Sequence, residues 1–215
     1  MWRSIVSLSV VVKLATTDDF VPRNSLSLLF SSPILRKRLD LPEGSRTALA
    51  ETIKTEWDTY TAEEEDEPAN DGFFEYQQDH IGLADQQSSP EGWLMSEAAQ
   101  ELLAGTTEAI EAYLVQLGYP DRFDGDVIPK ISADRIHVWA SVHSGCSSHT
   151  RHVHAHSTAS AVYYVSVPSG AGDIEFADPR GAVPPFERTV RVRPEEGELL
   201  IFPPWLQVGT TGFTG

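Results

Sequence analysis

A chain of 215 residues with 40% apolar content suits one domain and can bury a sizeable core, since chains of this size hide roughly 70% of their unfolded surface. With 32 acidic against 16 basic residues the formal charge is −16, which repels polyanions and excludes nucleic acid and anionic membrane as natural partners. One cysteine, Cys146, closes no intramolecular disulfide, and no stretch reaches the ~20 apolar residues that span a bilayer.

Residues 1–26 read as an irregular extension. Ile5 to Val12 has some character of a secretory or transit segment, but Ser7 and Ser9 break it and no small-residue cleavage site follows. A soluble cytoplasmic protein is therefore the expectation. Residues 27–215 form the domain, with a helical part over about 46–118 and a β-rich core over about 130–206. Ser45 is placed to cap a helix running to Trp57. The polar stretch 62–92, with Glu63-Glu64-Glu65-Asp66-Glu67, reads as a surface excursion.

The strongest helix runs from Ser96 to Leu117. Leu102, Leu103, Ala109, Ile110, Tyr113, Leu114 and Leu117 recur at three- and four-residue steps, Ser96 caps it, and Gly118 and Pro120 end it. From Lys130 the pattern changes to short strands. Arg135–Val142, Ser160–Val167, Asp173–Phe176, Arg188–Arg193 and Glu198–Phe202 are separated by turn sequences such as Gly170-Ala171-Gly172 and Pro194-Glu195-Glu196-Gly197. Regular strands parted by turns predict a sandwich or barrel rather than a βαβ fold. Trp139 and Trp205 read as core aromatics.

Four of the seven histidines fall within eight residues: His149, His152, His154 and His156. In an extended strand, residues two apart project from one face about 6.5 Å from each other. His152, His154 and His156 would then share a face, and two imidazoles so placed can grip one first-row divalent ion. A His-rich polar loop explains the same letters without function. The cluster lies between a Trp-bearing strand and a Tyr-rich one, as ligands at a barrel mouth would.

The order His152-Val153-His154, Ser160-Ala161-Val162-Tyr163-Tyr164-Val165, Gly170 through Asp178-Pro179-Arg180, and Pro194 through Phe202-Pro203-Pro204-Trp205-Leu206 resembles a family of iron(II)- and 2-oxoglutarate-dependent oxygenases. The resemblance covers about residues 27–206 and is most specific from 135 onward, with Ala155, Ala161 and Pro204 as small departures. It implies a mainly β fold with flanking helices (α+β), a double-stranded β-helix of jelly-roll or cupin-like form. It implies Fe(II) as metal and 2-oxoglutarate as cosubstrate, acting on a small-molecule or protein substrate. By the resemblance His152 is a metal ligand. His154, where most relatives of the wider superfamily carry aspartate, ligates the metal or shapes its surroundings. His149 and His156 face solvent or support the site. Tyr163 either points inward and donates its hydroxyl to 2-oxoglutarate or is a plain core tyrosine. Asp178-Pro179-Arg180 is either a salt-bridged turn or a substrate-facing arginine.

The family continues after Trp205-Leu206 to a distal histidine, a basic residue that pairs with 2-oxoglutarate and a last strand. No histidine follows His156 here, so the last strand is expected to be missing and residues 207–215 read as an aberrant tail, such as an exon end read into an intron would encode. That departure implies weak iron binding and little or no activity. A metal- or ligand-binding barrel without catalysis, and an acidic interaction protein, are the competing readings.

Overall fold

The computed structural model describes residues 4–10, 32–64, 79–81, 92–118, 131, 136–143 and 148–212. Two helices, α1 (Ser45–Glu64) and α2 (Glu97–Gln116), accompany nine strands: β1 (Ser4–Val10), β2 (Leu35–Arg38), β3 (Asp79–Ile81), β4 (Ile136–Val142), β5 (Ala159–Ser166), β6 (Ile174–Ala177), β7 (Thr189–Val192), β8 (Glu198–Phe202) and β9 (Val208–Thr210). The strands form a six-stranded sheet in the order β2-β8-β5-β1-β4-β3 and a three-stranded sheet in the order β7-β6-β9, with every pairing antiparallel. The architecture is mainly β with flanking helices. None of the helices among the described residues is long and apolar enough to cross a membrane.

The strand β5 shows why the sheet occupies the middle of the molecule. Seven of its eight residues are buried, Ala159 through Val165, because both of its faces are covered. A continuous apolar run of this kind belongs to a strand packed on two sides, unlike the alternation of a strand with one wet face. Ala161, Tyr163 and Val165 join Leu199 and Ile201 of β8 in a large cluster under the helices, with Leu49, Ile53, Trp93, Leu102, Ile110 and Tyr113. Val162 and Tyr164 point the other way. They meet Leu200, Phe202, Ile174, Phe176, Leu206 and Val208 in a smaller cluster between the two sheets.

The helix α2 forms where its periodicity predicts. The Ser96 hydroxyl accepts from the Ala99 amide at 3.2 Å, Glu97 occupies the first turn, and the chain leaves the helix through Gly118 at φ 80°. The other helix runs past its expected end at Trp57 to Glu64. Alanine and glutamate in that stretch are strong helix formers, and Lys54 pairs with Asp58 one turn on at 3.0 Å, so the helix carries into the start of the acidic run. The rest of the expected surface excursion, apart from β3 and the turn entering α2, lies outside the described residues.

Two further expectations are corrected. The extension 1–26 contributes β1, which sits between β4 and β5 and pairs with both. Its Ile and Val content suits a strand, although it is too short and serine-broken to stand out in the sequence. Within residues 207–215, Val208–Thr210 adds to the small sheet beside β6. Trp205, expected in the core, is 51% exposed. It occupies the turn between β8 and β9.

Candidate metal centre

The loop between β4 and β5 carries the histidines. His152 forms an antiparallel bridge with Val208, each amide donating to the other's carbonyl at 2.9 Å, and His154 N–H donates to the Pro204 carbonyl at 2.9 Å. The segment is therefore extended at 152 and held against the β8–β9 connection, which turns both rings to one side. Extension ends there: Ser157 N–H donates back to the His154 carbonyl, and His156 adopts φ 67°. His156 consequently leaves the shared face and stands exposed, so the structure brings together His152 and His154 and not His156.

The two rings converge tip to tip. His152 Nε2 and His154 Nε2 are 3.2 Å apart, with ring planes at 69°. Two nitrogens bound about 2.1 Å from a shared ion at right angles to each other stand about 3 Å apart, so this spacing fits cis ligation of one metal. Each outer nitrogen is engaged. His152 Nδ1 lies 2.8 Å from the Thr150 carbonyl, which can only accept, so Nδ1 carries the proton and Nε2 presents a lone pair. His154 Nδ1 is 2.7 Å from Ser160 Oγ, a hydroxyl able to donate or accept. Without metal, Ser160 donates to Nδ1 and His154 Nε2–H donates to His152. For His154 to hold a metal through Nε2, its Nδ1 would donate to Ser160 Oγ instead, a contact the hydroxyl can also accept. Such outer partners fix ring orientation and ligand basicity.

Burial, and secondarily the charge that His152 can carry, push the His154 pKa down to about 4. The imidazole is thus neutral at physiological pH, the form that ligates. Trp139 meets His154 edge-on at 5.9 Å and the His149 ring lies 4.0 Å from that of His152. His149, expected at the surface or in support, therefore lines the cleft. So do His143, Val162, Tyr164, Ile174, Phe202, Val208 and Thr210, around about 30 Å³ of free volume, room for an ion and a water or two. The lining includes no carboxylate, and among the described residues no three His, Cys, Asp or Glu groups are placed to hold one ion.

Position 208 explains part of that deficit. Residues directly opposite in an antiparallel bridge project from the same face, so the Val208 side chain, 5% exposed, faces the cleft beside His152. Beside His152, the cleft lining thus carries an isopropyl group.

Of the two readings of Tyr163, the structure shows the core one. Tyr163 lies in the cluster under the helices with its hydroxyl 3.4 Å from the Leu39 carbonyl. Tyr164 lines the histidine cleft instead. Its hydroxyl is buried with no hydrogen-bond partner among the described residues, and burial, followed by the nearby Glu198 charge, raises its pKa. Strand parity decides which of two adjacent tyrosines faces the site, and parity follows from the pairing with β8, which the local letters do not encode. Ser160 and Thr150 also escaped the sequence reading. Their proximity in sequence to His154 and His152 was the available signal.

Asp178-Pro179-Arg180 resolves as a structural turn. Arg180 grips the Asp178 carboxylate with Nε and Nη2 at 2.8 and 2.7 Å, holding its pKa down to about 2, and its guanidinium stacks 4.3 Å above the Phe186 ring.

Residues 137–215 match the family model described as putative 2OG-Fe(II) oxygenase, a stretch that includes the histidine loop, β5 to β9 and the closing residues. A search of the curated proteins found no match. The looser resemblance before residue 135 falls outside the matched stretch. From 137 onward, then, the chain is similar to the 2OG-Fe(II) oxygenase family model.

Proposed function

We propose that the chain is an iron(II)- and 2-oxoglutarate-dependent oxygenase of the hydroxylase type, on a jelly-roll double-stranded β-helix, with His152 and His154 as its metal ligands. The observation that carries this reading is the 3.2 Å approach of their Nε2 atoms, each ring oriented from behind by an oxygen. Iron(II), bound with 2-oxoglutarate and oxygen, supplies the oxidising power for hydroxylation, with 2-oxoglutarate leaving as succinate and carbon dioxide. The protein's part is to present two neutral imidazoles, to wall the cleft with Val162, Ile174, Phe202 and Val208 against water, and to offer the Tyr164 hydroxyl, which has no partner among the described residues, as a donor to a carboxylate. The substrate is a small molecule or a protein side chain.

One observation favours a second reading, a metal-binding relative with little turnover. Two imidazoles and an apolar third corner hold a divalent ion weakly, and no carboxylate lining offsets its charge. Anaerobic titration with Fe(II) and 2-oxoglutarate separates the two. A visible charge-transfer band together with succinate release on admitting oxygen supports the oxygenase. Metal uptake with no succinate supports the weaker relative. In either case His152→Ala lowers metal affinity about 10–100-fold or more, and undiminished binding in that variant removes the site assignment.

A further inference from the structure

Beyond the ligands themselves, two consecutive threonines, the last residue of β9 and the one after it, attract attention. Thr210 and Thr211 make the same two-point contact in opposite directions. Thr210 N–H donates to the His149 carbonyl at 3.0 Å while its Oγ1 accepts from the His149 amide at 2.7 Å. Thr211 N–H donates to the Asp173 carbonyl at 2.9 Å while its Oγ1 accepts from the Asp173 amide at 2.7 Å. One threonine thus holds the histidine loop, and the next holds the chain entering β6. The stitch is tight on both sides. A Cβ on Gly172 would lie 1.9 Å from the Thr211 carbonyl oxygen, and one on Gly209 would lie 2.9 Å from that of His149. Only glycines admit backbone at those separations.

We infer that Thr210 is a positioning residue for the histidine pair, acting through the backbone of His149, whereas Thr211 serves only to fasten the strand. The route is short. Thr210 fixes both backbone polar groups of His149, and the next residue, Thr150, supplies the carbonyl that holds His152 Nδ1 at 2.8 Å. That carbonyl sets the tautomer and direction of the His152 ring, whose Nε2 then meets His154 Nε2. Loss of the Thr210 hydroxyl leaves the His149 amide without its 2.7 Å acceptor and frees the peptide that follows to rotate. The Thr211 hydroxyl has no such connection to either ring. The inference rests on the reading of His152 and His154 as ligands for its consequence on metal, though not for its consequence on the rings.

The test compares Thr210→Val, Thr210→Ser and Thr211→Val, using cobalt(II) as an oxygen-insensitive probe and the ring-nitrogen NMR signals of the metal-free protein. Thr210→Val is expected to weaken cobalt(II) binding about tenfold, as loss of an orienting partner does, and to shift the His152 ring signals. Thr210→Ser, which keeps the hydroxyl, should stay within about twofold of the parent, as should Thr211→Val. Equal weakening by Thr210→Val and Thr211→Val, or unshifted His152 signals in Thr210→Val, overturns the inference. If Thr210→Val does not fold, Thr210→Ser decides: parental binding and ring signals uphold the role of the hydroxyl, and their loss refutes it. If the parent takes up no cobalt(II), the proposed function fails, and the metal-free ring signals alone judge the stitch by the same criterion.

Discussion

The two faces of β5 and β8 are built from neighbouring residues and do different work. Leu199 and Ile201 project under the helices, into a cluster filled by two helices and three strands, whereas Leu200 and Phe202 project into the thinner space between the sheets. All four are 0% exposed. The helix side is apolar and closed, as a face that supplies stability should be. The other side admits histidines and a cleft, and therefore gives up some apolar contact for chemistry. A ligand pair needs a rigid backing, and the same two strands provide it by turning their alternate side chains toward the helices.

Substitution of adjacent residues tests this division. Leu199→Ala is expected to cost about 2–5 kcal/mol of stability, with a cavity left behind, yet to leave cobalt(II) affinity in the folded protein unchanged. Leu200→Ala should cost a similar amount and also weaken cobalt(II) binding, because Leu200 packs with Phe202 beneath His154. Denaturant unfolding and metal titration on the same samples provide both readings. Equal metal affinity in the two variants breaks the comparison.

The pH dependence of stability sharpens it. The folded His154 titrates near 4 against an ordinary 6.5, so the unfolded chain takes up its proton first. Stability of the metal-free protein should therefore fall as pH drops through 6.5, with the full loss of about 2–3 kcal/mol reached below pH 4. His154→Gln should flatten that part of the profile. An unchanged slope in the variant would place the acid sensitivity elsewhere.

Val208→His addresses the cleft side alone. The bridge to His152 directs this side chain into the cleft, so an imidazole there adds a third nitrogen next to the existing pair. Cobalt(II) affinity should rise about tenfold or more, roughly 1.4 kcal/mol, whereas Val208→Ala should change it little. A spectrum and affinity identical to the parent's would show that position 208 does not reach the metal.

How much of this was legible in the sequence depended on range. The cap, period and end of α2 are local, and the sequence places them within a residue. The strands from β4 to β8 carry β-branched runs bounded by turns and are equally legible. The spacing of His152 and His154 put forward two rings that do approach each other, but their neighbour His156 does not share their face, because the turn at 154–157 cannot be read from a period of two. Facing is a long-range property. Tyr163 and Tyr164 are equivalent as letters, and only the register with β8 assigns one to the core and the other to the cleft. β9 is three residues long with a central glycine, so it carries almost no propensity of its own. Its place is set by the hydrogen bonds it makes to β6 and to the histidine loop.

The smallest expected effect concerns those two tyrosines, and it is the most direct test of facing. Tyr164→Phe removes a buried hydroxyl that has no partner among the described residues, so the metal-free protein should be unharmed or stabilised by up to about 1 kcal/mol. Tyr163→Phe removes the 3.4 Å contact with the Leu39 carbonyl and should cost about 0.5–1 kcal/mol. With iron(II) and 2-oxoglutarate added anaerobically, the order reverses. Tyr164→Phe should weaken 2-oxoglutarate binding several-fold, roughly 1 kcal/mol for one lost hydrogen bond to a carboxylate, and Tyr163→Phe should leave it unchanged. If Tyr163→Phe proves the more damaging to 2-oxoglutarate, the cosubstrate lies on the helix side of β5, and the cleft around the histidines does not extend to it.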